Sequence, residues 1–528
     1  MSQTSATQSP APASGAASHE GSENKWWTLV AVSLGTFMLL LDITIVNVAL
    51  PKIQDELHSS FADLQWVVDA YALTLAALLL TTGALADMYG RKRLYLIGLG
   101  VFTVASVLCG VAQSSLMLEL SRGLQGVGGA IMFAVSLALL AHAFRGKDRG
   151  VAFGVWGATT GFAVAVGPVL GGALVSGLSW RYIFFVNLPI GVGALALTLL
   201  RVEESRDPSP RKPDWWGFVL FTAGLASLIY ALIEAGLTSF GSTRVVACFV
   251  AGGVLIVGFL VAERYVAHPM FELSLFRLPT FSGGAIAAFG ISASIFSMLL
   301  YLTLYLQDLL QYSALQTGLR LVILSGGILV VATVAGRLSA HVPVRLLIGP
   351  GLLLVGVSLL LMRGLSATTS WTHLIPGLIV GGVGVGMINP PLASTAVGVV
   401  QPQRAGMASG INSTFRQVGI ATGIALLGTL FSKNVSSHVA SGLAHTPLAA
   451  KSAALGSALQ NGQASAYLEH LPPQQASLAE HVARASFTAG LNEILLVAAV
   501  IAFVSGVLAF VLIRGKDFVQ HQPAGGAA

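Results

Sequence analysis

Charge is what this sequence has least of. Asp, Glu, Lys and Arg make up 9% of its 528 residues, against about 25% in ordinary soluble domains. A soluble chain of this length needs far more charge to cover its surface, so soluble folds and soluble enzymes are excluded. Lipid can cover an apolar surface instead, and the composition points to a membrane. Cysteine is almost absent too. Cys109 and Cys248 both lie in apolar runs, which offers neither a disulfide framework nor a metal-ligand spacing. They read as small buried hydrophobes. No Gly-rich loop ending in Lys-Ser or Lys-Thr is present, so ATP is not expected as the energy source. The eleven histidines show no ligand spacing, and no metal site or cofactor is expected. Residues 1–24 have no apolar core, so they read as a disordered tail rather than a cleavable signal.

What is there is apolar length. Hydrophobic residues make up 55% of the chain and glycines number 60; in a membrane, Gly lets helices approach closely. A spanning helix needs about 20 mostly apolar residues. Fourteen stretches qualify: 26–50, 62–85, 94–113, 115–142, 150–175, 182–200, 215–235, 245–263, 281–309, 316–338, 346–363, 372–397, 405–431 and 489–513. With the first helix starting inside, eighteen Lys and Arg fall in inner loops and eight in outer ones. The positive-inside rule then places both termini in the cytoplasm. The net charge of +6 is thereby accounted for by topology, and no nucleic-acid partner is implied. The long outer stretch 432–488 contains Pro472-Pro473 and a partly amphipathic run, Leu478–Leu491. It is either a solvated loop or the carrier of a short surface helix.

A weak internal repeat divides the chain. Gly83–Arg93 follows the second helix, and Gly336–Arg345 follows the tenth with Ala340 where the first copy has Asp87. Two six-helix halves flanking two extra helices explain the pattern, and such repeats commonly surround a central transport site. The expected organisation is a tail over 1–25, a first six-helix bundle over 26–200, and two extra helices with linkers over 201–280. A second bundle over 281–513 carries the loop 432–488, and a tail follows over 514–528.

A few charges lie inside the apolar helices, where they are costly and usually functional. Asp42 sits roughly 24 Å along the first helix, and Arg122 about 9 Å from the outer end of the fourth. Both fall in the outer third of a core about 30 Å thick, so they can share one level. Burial raises a carboxylate's pKa and a neighbouring Arg lowers it. A cycle that changes water access or the distance to Arg would make Asp42 take up and release a proton. Arg122 has alternatives, a structural ion pair or snorkelling to the surface. Asp69 lies about 10 Å below the outer end of the second helix, and Glu119 is a turn from Arg122, nearer the surface. Both are further candidates for proton or substrate binding. At the inner turn, Asp87 can cap the next helix or pair with Arg91.

Four segments together resemble the major facilitator superfamily, in particular its fourteen-helix drug:proton antiporter group, over nearly all of residues 26–513. They are Leu41–Pro51, Gly83–Arg93, Leu118–Ala130 with Arg122, Gln125, Gly126 and Gly128, and Gly157–Gly172. Trp180–Phe184 with Asn187 and Pro189, Tyr305-Leu306-Gln307, and Arg404–Thr414 leading to Arg416-Gln417 support the match. The resemblance implies an all-α polytopic membrane protein of major-facilitator fold, two six-helix bundles plus two linking helices. It implies alternating access, the proton gradient as energy source, and efflux of small drug-like molecules across the cell membrane. It assigns a gating role to Gly83, Asp87, Gly90, Arg91 and Lys92. It makes Gly157, Gly161, Gly167, Pro168, Gly171 and Gly172 the mark of an antiporter helix, where spacing alone would read as ordinary close packing. Trp66–Tyr71 resembles quaternary-ammonium exporters and hints at cationic, lipophilic substrates. The C-terminal half departs from that pattern, since helices ten and thirteen carry no carboxylate. Neutral, zwitterionic or anionic substrates stay open. Tyr301, Tyr305, Gln307, Asn389, Asn412, Phe415 and Arg416 are candidates to line a central cavity, or else packing residues. Membrane lipid and a small-molecule substrate are the expected partners, and no required protein partner is evident. The rival readings are a proton-coupled importer or facilitator of a metabolite, a dedicated exporter of one endogenous antibiotic, and a non-transporting membrane sensor or assembly partner.

Overall fold

The computed structural model describes residues 16–518 apart from 60, 145, 207–213, 267–272, 340, 402–404, 461–466 and 469–470. Of the residues discussed above, 1–15 and 519–528 lie outside the described residues, as do Ala340 and Arg404. All fourteen apolar stretches fold as helix. The first half comprises α1 (Ala16–Leu57), α2 (Phe61–Tyr89), α3 (Arg91–Gly110), α4 (Ser115–Ala143), α5 (Gly146–Gly177), the short α6 (Tyr182–Phe185) and α7 (Asn187–Arg201). Then come α8 (Trp215–Leu237) and α9 (Thr243–Tyr265). The second half holds α10 (Pro279–Ile291), α11 (Ser297–Leu304), α12 (Ala314–Leu338), α13 (Arg345–Leu361), α14 (Ile375–Gly398), α15 (Ala405–Leu443), α16 (Ser452–Gln460) and α17 (Pro473–Leu512). Among the described residues, twelve helical spans are long and apolar enough to cross a membrane, and the bent α2 makes a thirteenth. The shorter α13, with 17 residues, is the fourteenth.

Local chemistry sets the ends of these helices. The Ser114 side chain accepts from the Met117 N–H and starts α4, and Ser313 with Gln316 forms a reciprocal cap on α12. Gly90 takes φ +111° between α2 and α3, a conformation that side chains rarely tolerate. In α2, the Thr82 hydroxyl donates back to the Leu78 and Leu79 carbonyls. The two parts of α2 meet there at 51°, a place where such back-bonding bends helices.

Two helix pairs join the halves along their length, α5 with α12 and α2 with α15. The extra pair α8–α9 lies outside, with α8 against α2 and α15 and α9 against α8. Trp66 meets Tyr230 there with ring centroids 5.6 Å apart. On α9, Val246, Val250, Val254, Val257 and Val261 are all exposed, as a face turned to lipid requires.

Two boundaries differ from the sequence reading. The first helix begins at Ala16, inside the stretch read as a tail; adding residues to an existing helix is easier than nucleating one. The stretch 432–488 is helical at both ends, because α15 runs on to Leu443 and α17 begins at Pro473. Val435, Val439, Leu443, Leu455, Leu459, Ala479, Val482 and Phe487 bury one another there. The described residues of this stretch form a packed helical cap, neither a solvated loop nor a single surface helix.

Candidate functional site

Asp42 and Arg122 form a direct ion pair, with Nη1 of Arg122 donating to Oδ2 of Asp42. Both are fully buried, at 0% and 1% exposure. A buried pair persists only when its remaining donors and acceptors are served, and here four further hydrogen bonds do so. Oδ1 of Asp42 accepts from Gln125 Nε2 at 2.8 Å and Asn187 Nδ2 at 3.1 Å. Arg122 Nη1 also donates to Gln125 Oε1 at 2.6 Å, and its Nε donates to the Val67 carbonyl at 2.9 Å. The Ser106 hydroxyl accepts from Gln125 and Asn187. The Tyr71 ring lies 4.3 Å from the guanidinium carbon, close enough for a cation–π contact. The cluster thus ties together α1, α2, α3, α4 and α7. Asp69 and Glu119 are each half-buried and outside this cluster; neither is among the groups that touch Asp42.

The turn between α2 and α3 forms a second cluster. Asp87 Oδ1 accepts from Arg91 Nε at 2.9 Å and Nη2 at 2.7 Å. Its Oδ2 accepts from the Met407 backbone N–H at 3.2 Å, in the first turn of α15, where unpaired helix N–H groups favour an anion. Asp87 therefore pairs with Arg91 and caps a helix of the other half, rather than capping α3. The α3 end is met by Glu204, which accepts from the Lys92 and Arg93 N–H groups. The Lys92 ammonium donates to the Leu199 carbonyl at 3.0 Å. A side chain at Gly90 would run into the Glu204 carboxylate. Gly83 is buried one turn before Asp87.

The small residues of α5 make room on two sides. Gly167 and Gly171 face Thr44 and Ile45 of α1; Gly157 faces Pro390 of α14, and Gly161 faces Ile328 of α12. Pro168 meets Gly318 of α12, and Gly172 is buried. Near the Lys/Arg-rich end, Gly154 and Gly336 bring α5 and α12 into backbone contact.

The cavity candidates separate into two groups. Tyr301 and Tyr305 are packing residues. Their hydroxyls donate to the Ile424 and Thr369 carbonyls, and their rings pack on Phe431, tilted, and on Phe487, stacked. Phe415 packs on Phe276. Gln307 is half-buried, with its Nε2 unpartnered. Asn412 lines a small cleft with Phe281, Gly284, Ala285, Thr395, Ala396 and Ile411, between α10, α14 and α15. One turn further along α15, Arg416 Nη2 donates to Asn389 Oδ1 at 3.2 Å.

A family description, Major Facilitator Superfamily, matches residues 32–424. The chain belongs to that superfamily. Within it, the chain is 38% identical over 404 residues to the multidrug resistance protein Stp of Mycobacterium tuberculosis (strain CDC 1551 / Oshkosh), covering 76% of this chain and 75% of Stp. It is 31% identical over 489 residues to the tetracenomycin C resistance and export protein of Streptomyces glaucescens, covering 92% and 91%. The superfamily fold is seen again in the solved proton:xylose symporter XylE, with TM-score 0.63 at 12% identity over 94% of this chain and 97% of that one.

For a superfamily member, some of the polar groups here were legible from sequence and some were not. Gln125 stood in a recognised motif, and Asn187 was a supporting match without a role. Ser106 carried no signal, since a lone Ser in an apolar helix is ordinary. Glu204 lies in a charged connector, where nothing in the chain order places it against Gly90.

Proposed function

We propose that this multi-pass membrane protein exports small drug-like molecules from the cell in exchange for protons, with Asp42 as the proton-carrying group. The single observation that carries the reading is the Asp42–Arg122 pair, fully buried inside one half and held by Gln125 and Asn187. A carboxylate so placed changes its bonds on protonation: the attraction to Arg122 is lost, and α1 is released from α4. Arg122 keeps the Val67 carbonyl and the Tyr71 ring, both on α2. The far end of α2 carries Asp87, bound to the start of α15. One bent helix therefore joins the proton site to the contact between the halves, and a change at Asp42 reaches the gate through it.

The Lys/Arg-rich end faces the cytoplasm on this reading, with both termini there. Asp42 is enclosed by its own bundle, so it carries the proton and leaves the substrate to the cleft between the halves. Trp66 faces Tyr230 of α8 rather than that cleft, which removes the physical support for a cation-binding aromatic there. The names of the two relatives fit export of toxic compounds, and the tetracenomycin C relative keeps a narrow, single-antibiotic role in view.

Direction is tested in cells stripped of their own drug pumps and expressing this chain, loaded with ethidium, rhodamine 6G or fluorescein. Export predicts that an uncoupler raises accumulation of a transported dye in expressing cells. A fall in accumulation on uncoupling would mean import.

A further inference from the structure

Three arginines lie deep among the helices described above, and two of them meet carboxylates: Arg122 with Asp42, and Arg91 with Asp87. Arg416 does not. It stands 11 residues into α15, about 17 Å from the helix start and so near the middle of a core about 30 Å thick. Its one polar partner among the described residues is the carboxamide oxygen of Asn389. Asn389 is 1% exposed and Arg416 is half-buried. The guanidinium is therefore largely withdrawn from solvent at mid-depth, with one neutral partner. A charge at that depth is costly without a counter-charge, and a guanidinium offers a fork of donors shaped for a carboxylate.

The surroundings suit an anion as well. On the same face of α15, one turn earlier, Asn412 borders the cleft between α10, α14 and α15. Its Oδ1 is buried and unpartnered, so no bond from that oxygen holds the carboxamide back from turning its NH2 donors to an anion. One turn later, Gly419 lies against Ser292, which is 0% exposed with an unpartnered hydroxyl. Helices α12, α14 and α15 place no carboxylate among their described side chains. The rest of the cleft wall is Phe281, Gly284, Ala285, Ala396 and Ile411 with Thr395, whose hydroxyl donates to the Pro391 carbonyl.

We infer that Arg416, with Asn389, Asn412 and Ser292, forms a binding subsite for an acidic group, a carboxylate or ionised phenol, on an otherwise apolar substrate. The inference rests on the exporter reading above and deepens it: the preferred substrates are amphiphilic organic anions. Asn389 holds the guanidinium in place without neutralising it, which leaves the charge for the ligand.

The test is equilibrium binding to the purified full-length protein in lipid nanodiscs, by fluorescence anisotropy. Fluorescein and rhodamine 6G serve as probes because they share a xanthene frame and differ in the sign of their charge. Wild type binds fluorescein more tightly, and Arg416→Gln weakens fluorescein by about tenfold or more while changing rhodamine 6G by less than about threefold. Arg416→Lys retains part of the fluorescein affinity. Asn389→Asp leaves Arg416 in place but supplies it with a carboxylate, so fluorescein binding falls and rhodamine 6G binding rises. That variant keeps an ion pair in the bundle and controls for misfolding. A preference for rhodamine 6G, undetectable fluorescein binding to wild type, or fluorescein affinity indifferent to both substitutions overturns the subsite. Intact Arg416-dependent binding, with accumulation falling on uncoupling, would sink export and leave the subsite standing.

Discussion

Asp42 and Arg122 need each other more than the protein needs either. Removing one partner of a buried pair leaves a stranded charge, at a cost of about 3–5 kcal/mol. Arg122→Leu is therefore expected to lower thermal stability in nanodiscs sharply, and adding Asp42→Asn to recover much of the loss. Equal stability of the single and double variants would show that the pair is not coupled. The meeting of these two residues was legible from sequence because each sits a countable number of 1.5 Å steps from a helix end. The identity of the remaining donors was not. Depth does not say which way a side chain points, so Tyr301 and Tyr305, apt for a cavity by composition, pack instead on Phe431 and Phe487.

The fourteen helices were readable because lipid imposes a minimum apolar length on each. What hydropathy missed lies where helices leave the lipid. Ser, His and Gln dilute the ends of α15 and α17, yet Val435, Val439 and Leu443 keep a four-residue spacing that buries them against the other helices of the cap. Val439→Asp places a charge in that contact, and a loss of about 2–4 kcal/mol is expected with fluorescein binding unchanged. Loss of binding in a variant that stays folded would mean that the cap shapes the substrate site. On α5, Gly167 faces Thr44 of α1 so closely that any side chain collides. Gly167→Val is expected to abolish dye export while Arg416-dependent dye binding stays within about threefold; export at the wild-type rate would show that α1 and α5 separate there.

At the scale of the whole molecule, the halves are closed at the Lys/Arg-rich end. Asp87 holds the start of α15, Gly154 meets Gly336, and α4 packs against α15. Ser409, four residues beyond the start of α15 that Asp87 holds, is at 0% exposure. With Ser409→Cys as reporter, Asp87→Asn is expected to speed labelling by a membrane-impermeant maleimide from the Lys/Arg-rich side. Unchanged labelling would remove Asp87 from the gate. The same side should be cytoplasmic, which a reporter fused to the C-terminus checks; a periplasmic readout would reverse the orientation. The two-bundle plan was visible in the weak repeat, whereas the position of α8 and α9 outside the α2–α15 seam was not, since nothing in their own sequence names the helices they rest on.

The central claim is that Asp42 exchanges protons for substrate while the substrate binds elsewhere. Inside-out membrane vesicles with an acidic lumen test it most directly, by recording proton release when fluorescein or rhodamine 6G is added. The account predicts release with wild type and none with Asp42→Asn, although that variant still binds fluorescein within about threefold of wild type. Release from Asp42→Asn at the wild-type rate would contradict it and move the proton to another group, Asp69 first.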